Sequence, residues 1–286
     1  MSSSAKKMIS KIIPKRKARS RNISSTASSS GDDDRPRKKK SSLRAKVQNV
    51  KPKLNPPFRK KRSNINVRNS QGLTPLHLAV INGNVEGVRE LLSRRDIDIN
   101  AEDRRHRTPL IIACENNQTD IALKLIKHKA DLTVWDENFD TPLHIALRKG
   151  NRIVADRMID RAKAKGHLIE LVTEPNWNWV APIHEAARVG HTDLIRKCLD
   201  EDKHDEIEKH DFGSGPHDDR DYVLDLRGEN DDSLLHIASS NGHIDLVELL
   251  VQRGAKIDST NWDLRTPLHL SCIANQRAAV EYLVEK

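Results

Sequence analysis

The feature that most constrains the fold of this chain is a tetrapeptide, Thr-Pro-Leu-His, that recurs along it. Identical copies begin at Thr74, Thr141 and Thr266, and degraded copies begin at Thr108, Ala181 and Ser233. Successive copies start 34, 33, 40, 52 and 33 residues apart. A period near 33 residues predicts a solenoid of stacked helical repeats, because each short unit must bury its apolar face against its neighbours.

The first unit indicates how each repeat folds. Gly72 suits a turn that needs a positive φ, Thr74 can cap a helix, and Pro75 fits the first helical position. Apolar residues then predict one short helix, a Gly-Asn pair breaks it, and the spacing of residues 85–92 predicts a second helix. The predicted order is turn, helix, tight turn, helix and loop.

The fifth unit carries a longer pattern. It reads Leu-Leu-His-Ile-Ala at 234–238, Asn-Gly-His at 241–243, Leu-Val-Glu-Leu-Leu at 246–250 and Gly-Ala at 254–255. This resembles the ankyrin repeat, and the resemblance covers about residues 65–286. It implies an all-α repeat fold, an L-shaped stack of helix pairs with projecting β-hairpin fingers. It also implies protein recognition on the fingers and inner helices, with no catalytic activity.

The chain divides into a basic arm, residues 1–63, and a repeat domain, residues 64–286. Repeats are predicted at about 69–100, 103–133, 136–166, 176–200, 228–258 and 261–286, with an acidic insertion at 200–221 of net charge about −7. The sixth repeat lacks the segment after its second helix, so Leu270, Ile273, Val280 and Leu283 would have no following neighbour. A fragment of a longer protein is expected; the alternative is that this end pairs with something else.

The basic arm is predicted to be disordered in isolation. Residues 1–62 hold 21 Lys and Arg against 3 acids, and few large apolar residues, so they cannot build a core. The basic side chains form three clusters: Lys15, Arg16, Lys17, Arg19 and Arg21; Arg35, Arg37, Lys38, Lys39 and Lys40; and Arg59, Lys60, Lys61 and Arg62. These clusters favour recognition by a nuclear import receptor. Non-specific, salt-dependent nucleic-acid contact and an unspecific polycation remain alternatives.

The acidic insertion leaves three interpretations open. A solvated acidic loop is the simplest. Its repeated His-Asp pairs also suggest a metal site, although no ligand pair has a compact spacing. The third interpretation is that the insertion holds the basic arm within the same chain and masks it.

The large aromatic residues concentrate in the predicted fingers. They are Trp135, Phe139, Trp177, Trp179 and Trp262. Trp177 and Trp262 each stand four residues before the Thr position, at the expected finger tip, and are predicted to anchor a partner. For the other three, partner contact and local packing remain equally open.

The residue two positions before Thr is glycine only in the first repeat, as Gly72. Elsewhere it is His106, Phe139, Trp179, Asp231 or Leu264. A non-glycine residue at positive φ costs about 1–2 kcal/mol. These finger turns are therefore predicted to differ in shape from the first.

One histidine per repeat stands in the tetrapeptide: His77, His144, His184, His236 and His269. Successive layers of packed helices lie about 10 Å apart. That separation is too large for these histidines to share one metal ion. The resemblance implies that each is a structural imidazole bonded to backbone of an adjacent repeat. In the second repeat Ile111 stands in place of the histidine, so this repeat is expected to be joined to the next by apolar packing.

No phosphate-binding glycine loop, nucleophile elbow or zinc-protease motif occurs, so neither an enzyme nor a cofactor is predicted. No apolar run is long enough to span a bilayer, and three isolated cysteines favour a reducing, intracellular setting. The leading hypothesis is a protein-interaction scaffold or adaptor, nuclear or cytoplasmic with the nucleus preferred. The alternative is the cytosolic ankyrin portion of a longer protein, such as an ankyrin-bearing cation channel or a multidomain regulator.

Overall fold

A computed structural model describes residues 64–201 and 222–286 of the chain. The basic arm and residues 202–221 of the acidic insertion lie outside the described residues. Within them the chain forms thirteen α-helices and one short 3-10 helix, Glu229–Asp231. The predicted all-α repeat solenoid is confirmed.

Twelve of the helices form six pairs, one pair in each predicted repeat. The first helices are Pro75–Ile81, Pro109–Glu115, Pro142–Arg148, Pro182–Arg188, Leu234–Ser240 and Pro267–Ile273. The second helices are Val85–Leu92, Thr119–Lys127, Arg152–Lys163, Thr192–Glu201, Ile244–Gln252 and Arg277–Val284. First helices pack against first helices of the neighbouring repeats, which gives the stack an inner layer that bears the fingers.

The first helix begins with the same reciprocal cap in four of the six repeats, the first, third, fifth and sixth; in the second, where Ile111 replaces the histidine, only the bond from its N–H to the Thr108 hydroxyl is present. The Thr74 hydroxyl accepts the backbone N–H of His77 at 3.4 Å, and Nδ1 of His77 accepts the backbone N–H of Thr74 at 3.1 Å. The cap thus satisfies two N–H groups that a helix start otherwise leaves without partners. In the fourth repeat Ala181 has no hydroxyl, and only the bond from its N–H to Nδ1 of His184, 3.0 Å, remains.

A thirteenth α-helix, Leu168–Thr173, lies between the third and fourth repeats and accounts for the 40-residue spacing there. It packs against the second helices of both repeats. Its apolar residues Leu168, Leu171 and Val172 are buried. The segment thus extends the core instead of forming a surface loop.

The leucine of the tetrapeptide, or the isoleucine that replaces it in the fourth repeat, is buried in the core in the first five repeats, whereas Leu268 of the sixth is only partly buried. Leu76, Leu110, Leu143, Ile183 and Leu235 are all fully or almost fully buried. Burying such a side chain contributes about 1.5–3 kcal/mol, and it requires a neighbouring repeat. In the sixth repeat Ile273 is exposed. Leu283, which was expected to have no following neighbour, is buried against the preceding repeat, because the second helices of the fifth and sixth repeats pack together.

Candidate protein-binding surface

Each finger is a five-residue turn with one repeated hydrogen-bond pattern. In residues 69–73, 103–107, 136–140, 176–180, 228–232 and 261–265, the N–H of the first residue donates to the carbonyl of the fifth, at 2.9–3.1 Å. The N–H of the fourth residue donates back to the carbonyl of the first. Across the described ranges, the only β-pairing is an isolated bridge between Arg227 and Ser233. The fingers are therefore hairpin turns without extended strands.

The prediction that the non-glycine finger turns differ in shape is wrong for the second, third, fourth and sixth fingers. It holds for the fifth, where Asn230 as well as Asp231 has a positive φ, of 60° and 64°. The fourth residue of each turn has a positive φ, whether it is glycine or not: Gly72 81°, His106 59°, Phe139 61°, Trp179 62°, Asp231 64° and Leu264 57°. The strain of about 1–2 kcal/mol at each non-glycine residue is tolerated because other contacts fix the turn.

An Asn or Asp at the first turn position supplies those contacts in five of the six fingers. Its side-chain oxygen accepts the N–H groups of the third and fifth residues, as Asp136 does for Asn138 at 2.8 Å and Asp140 at 3.0 Å. The equivalent residues are Asn69, Asp103, Asn176 and Asn261. Asn or Asp at this fixed offset is an Asx-turn signal that was present in the sequence.

The fifth finger uses a different device. Gly228 stands at the first turn position, and Arg227 donates to the carbonyl of Asp231 at 3.1 Å. A Cβ added to Gly228 would lie 3.2 Å from the His184 ring. The imidazole of the preceding repeat therefore occupies the space that an Asx side chain would need.

Four of the five pairs of neighbouring fingers are joined by one backbone hydrogen bond each. Trp177 N–H donates to Asn138 O at 3.2 Å, and Trp262 N–H donates to Asn230 O at 3.0 Å. Equivalent bonds run from Arg104 to Gln71 and from Glu137 to Arg105. These bonds fix the separation of neighbouring tip side chains along the first four fingers, and again between the fifth and sixth fingers.

Four motif histidines bond to the backbone of the next repeat; for three of them the partner is the last residue of a finger, and for His184 it is Leu226, two residues before the fifth finger. The Nε2 atoms of His77, His144, His184 and His236 lie 3.1, 2.9, 3.5 and 2.9 Å from the carbonyl oxygens of Arg107, Val180, Leu226 and Arg265. His269 of the sixth repeat makes only its cap contacts. Ile111, in the second repeat, is fully buried.

These histidines are held neutral. Burial lowers the pKa of His144 and His184 to about 4, and it also lowers the pKa of His77 and His236. The backbone N–H that Nδ1 accepts assigns the proton to Nε2, which donates to a backbone carbonyl of the next repeat. The arrangement suits a structural imidazole.

Four of the finger side chains form what we call the aromatic ladder: His106, Trp135, Phe139 and Trp177. Trp135 stacks on Phe139 with ring centroids 4.6 Å apart, and Phe139 stacks on Trp177 at 5.6 Å. His106 lies 6.3 Å from Trp135 at one end. Trp135 and Phe139 are half-buried, so local packing accounts for much of their surface.

The other tip residues are more exposed. Trp177 at the end of the ladder is 52% exposed and Trp179 is 50% exposed. In the sixth finger, Trp262 is 73% exposed and Leu264 beside it is 79% exposed. The fingers thus present two exposed apolar areas, one at repeat 4 and one at repeat 6.

An ion network lies beneath the fingers of repeats 3 and 4. Arg148 donates two hydrogen bonds to the buried Asp140, at 2.7 and 3.0 Å, and one from Nε to the buried Glu185, at 3.0 Å. Asn176 also donates to Asp140, at 2.7 Å. Burial opposes ionisation of Asp140, but these hydrogen bonds outweigh it and hold its pKa below the ordinary value.

The chain belongs to the ankyrin repeat family. The family model for ankyrin repeats (3 copies) matches residues 53–136, 96–169 and 183–286. The crystal structure of the ankyrin repeat protein EF0377 is similar, with a TM-score of 0.57 and 22% identity over 74% of this chain and 96% of that one. Ankyrin repeats are protein-interaction modules that carry no catalytic site of their own.

Two similar proteins are ion channels. The chain is 27% identical over 247 residues to human transient receptor potential cation channel subfamily A member 1, covering 78% of this chain and 22% of the channel. It is 27% identical over 219 residues to the Drosophila melanogaster channel of the same name, covering 65% and 17%. The chain therefore spans about a fifth of the length of these relatives. In the part of the chain that the structure describes, no helix combines the length and apolar character that crossing a bilayer needs.

Proposed function

We propose that this chain binds a protein partner through the finger tips and the first helices of its repeats. The observation that carries the proposal is the exposure of Trp177 and Trp262, at 52% and 73%, at equivalent tip positions. Large aromatic side chains supply most of the binding energy in many interfaces. Because the finger backbone that carries these tryptophans is already ordered, little conformational entropy is lost on binding.

Pulldown of cellular partners by the full-length chain, compared with the Trp177→Ala, Trp262→Ala double variant, tests this proposal. Loss of a hot-spot tryptophan costs at least about 2 kcal/mol, or about thirtyfold in affinity. Ile153→Ala is the matched control, since Ile153 is 64% exposed on a second helix away from the fingers. Equal recovery of the same partners by the wild type and the double variant would contradict the proposal.

The second candidate is that these repeats are the cytosolic ankyrin portion of an ankyrin-bearing cation channel. The similarity to two channels of one subfamily, over 78% and 65% of this chain, supports it. Sequencing the transcript beyond the codon for Lys286 tests it. Several apolar segments of about 20 residues are expected downstream. A stop codon directly after Lys286 would refute the candidate.

The basic arm predicts a different cellular localisation, in the nucleus. Its three Lys/Arg clusters lie outside the described residues, and nuclear import or non-specific nucleic-acid contact stays a prediction from composition. A fluorescent fusion of residues 1–63 tests it: nuclear accumulation supports import, and a cytosolic signal contradicts it. The channel candidate instead places the repeats on the cytosolic side of a membrane.

A further inference from the structure

A groove of about 290 Å³ opens between the fingers of repeats 3 to 5 and the first helices below them. We call it the finger groove. Its lining includes Asn138, Trp177, Asn178, Glu185, Arg188 and Glu229. It combines a half-exposed aromatic ring with charged side chains, and the balance of those charges is uneven.

Glu185 is the least expected residue in the finger groove. It occupies the helix position directly after the motif histidine, where the other repeats have an aliphatic residue: Leu78, Ile112, Ile145, Ile237 and Leu270. Glu185 is only 2% exposed, and its Oε1 accepts a hydrogen bond from Arg148. Its Oε2 accepts none, although Arg188 Nη1 lies 3.5 Å away. A buried carboxylate oxygen without a hydrogen bond is costly, which indicates a place for an external donor.

The charges of the finger groove are one cation short of balance. The carboxylates are Asp140, Glu185 and Glu229, and the guanidinium groups are Arg148 and Arg188. Arg148 is committed to Asp140 and Glu185 through three hydrogen bonds. Glu229 is exposed, and it forms no ion pair with any residue that the structure describes. The groove therefore attracts one additional positive group.

Trp177 specifies the shape of that group. It is the last ring of the aromatic ladder: Phe139 stacks on it from within the ladder, while Trp177 itself lines the groove and is half exposed. A planar cation can continue such a stack and at the same time donate several hydrogen bonds in its own plane. Among side chains, only the arginine guanidinium combines these properties, whereas the lysine ammonium is a compact, strongly hydrated charge.

We propose that the finger groove binds an arginine side chain of the protein partner, stacked on Trp177 and hydrogen-bonded to Glu185 and Glu229. This inference rests on the proposed function and adds the chemistry of one anchor residue. Arg188 competes for the same carboxylate, because its exposed guanidinium already lies near Oε2 of Glu185 without a hydrogen bond to it. The incoming arginine displaces Arg188.

The test uses the full-length chain with its tryptophan indoles labelled for NMR, titrated with the blocked tripeptide Gly-Arg-Gly. The matched probes are Gly-Lys-Gly, whose side chain is charged but lacks a planar group, and Gly-citrulline-Gly, whose side chain has a planar group but no charge. The arginine peptide is expected to shift the Trp177 indole signal saturably, with the lysine peptide about fivefold weaker and the citrulline peptide inactive. Equal shifts from all three peptides, or no saturation with the arginine peptide, would overturn the proposal.

Three single substitutions in the finger groove test the arginine site directly. Glu185→Gln and Glu229→Gln are each expected to weaken arginine-peptide binding about tenfold. Arg188→Gln is expected to strengthen it, because it removes the competing cation. Asp258→Asn, an exposed carboxylate outside the groove, is the matched control and should leave binding unchanged. If Glu185→Gln fails to fold, Glu229→Gln and Arg188→Gln decide, since both replaced side chains are exposed. No change in either would overturn the proposal.

The outcomes separate this inference from the proposed function. Partner capture that depends on Trp262 but not on Glu185, Glu229 or Arg188 leaves the proposed function standing and refutes the arginine site. Suppose instead that replacing the arm clusters with glutamine shifts the Trp177 signal, while the arginine peptide does not. That result would assign the finger groove to the chain's own basic arm and would also overturn the proposal.

Discussion

Acidification from pH 7.5 to pH 5 is expected to destabilise the repeats through His144 and His184. Both rings are buried and neutral, with Nδ1 accepting a backbone N–H and Nε2 facing a backbone carbonyl of the next repeat. Protonation at Nδ1 removes the acceptor for the N–H of Thr141 or Ala181. It also places a positive charge where burial disfavours one. Asp140 next to His144 opposes this effect, whereas Arg148 next to His144 and Arg188 next to His184 reinforce it.

The magnitude follows from the pKa of each histidine, lowered from 6.5 to about 4 on folding. Between these values the unfolded chain binds more protons than the folded chain, so the free energy of unfolding rises with pH across this window and falls on acidification. At pH 5 the loss is about 2 kcal/mol per histidine, or about 4 kcal/mol for the pair. Asp103 and Asp140 also have lowered pKa values, and their contribution is lost only as the pH falls below about 3.8.

Urea unfolding of the wild type and His144→Ile at pH 7.5 and 5.0, followed by far-UV circular dichroism, measures the effect. Isoleucine is chosen because the second repeat already has isoleucine, Ile111, at the position of the motif histidine. The difference in unfolding free energy between the two pH values should be about 2 kcal/mol smaller in the variant, because other titrating groups cancel in the comparison. NMR titration of the His144 ring should give a pKa near 4. A pKa near 6.5, or the same pH dependence in both proteins, would refute the reasoning.

Three further substitutions test the local energetics, each by urea unfolding at pH 7.5. Ala181→Thr should stabilise the protein by about 1 kcal/mol, because it restores the missing hydroxyl cap. Thr141→Ala should destabilise the protein by about as much, because it removes such a cap. If Thr141→Ala left the free energy of unfolding unchanged, the cap would not contribute to stability. Arg148→Ala should cost about 3 kcal/mol, because it leaves the buried Glu185 without its hydrogen-bond donor and the buried Asp140 with Asn176 as its side-chain donor. Arg89→Ala, in an exposed ion pair with Glu86, should change stability by less than about 0.5 kcal/mol. Equal effects of the two substitutions would contradict the importance of the ion network. Leu264→Gly should stabilise the sixth finger by about 0.5 kcal/mol, because Leu264 has a φ of 57° and relief of this backbone strain outweighs the larger conformational entropy that glycine gives the unfolded chain. Destabilisation would show that Leu264 is not strained.

The helices could be predicted from the sequence because their signals are local. Thr74 and Pro75 define the start of a helix, and the spacing of the apolar residues in 85–92 identifies the helix Val85–Leu92. The helix at Leu168–Thr173 could not be assigned in the same way. Six residues are too few to show a helical period, and this helix gains its stability from packing against two neighbouring repeats.

The candidate site was only partly predictable. The sequence places Trp177 and Trp262 at equivalent tips, because that depends on a register counted from the motif. It does not show that Phe139 stacks on Trp177, or that Glu185 and Glu229 face one groove, because these residues come from different repeats. Four of the five non-glycine finger turns were predicted wrongly, because the positive φ of residues such as Phe139 and Leu264 was weighed without the Asx hydrogen bonds that fix the turn.

The period of the Thr-Pro-Leu-His motif was sufficient to establish the class of fold, because each copy directs a cap, a helix and a buried leucine that must be covered by the next copy. Only the packed stack decides which side chains of successive fingers meet. Those contacts depend on the separation of one repeat from the next, which no single repeat contains. The aromatic ladder and the single unbonded oxygen of Glu185 exist only at that level.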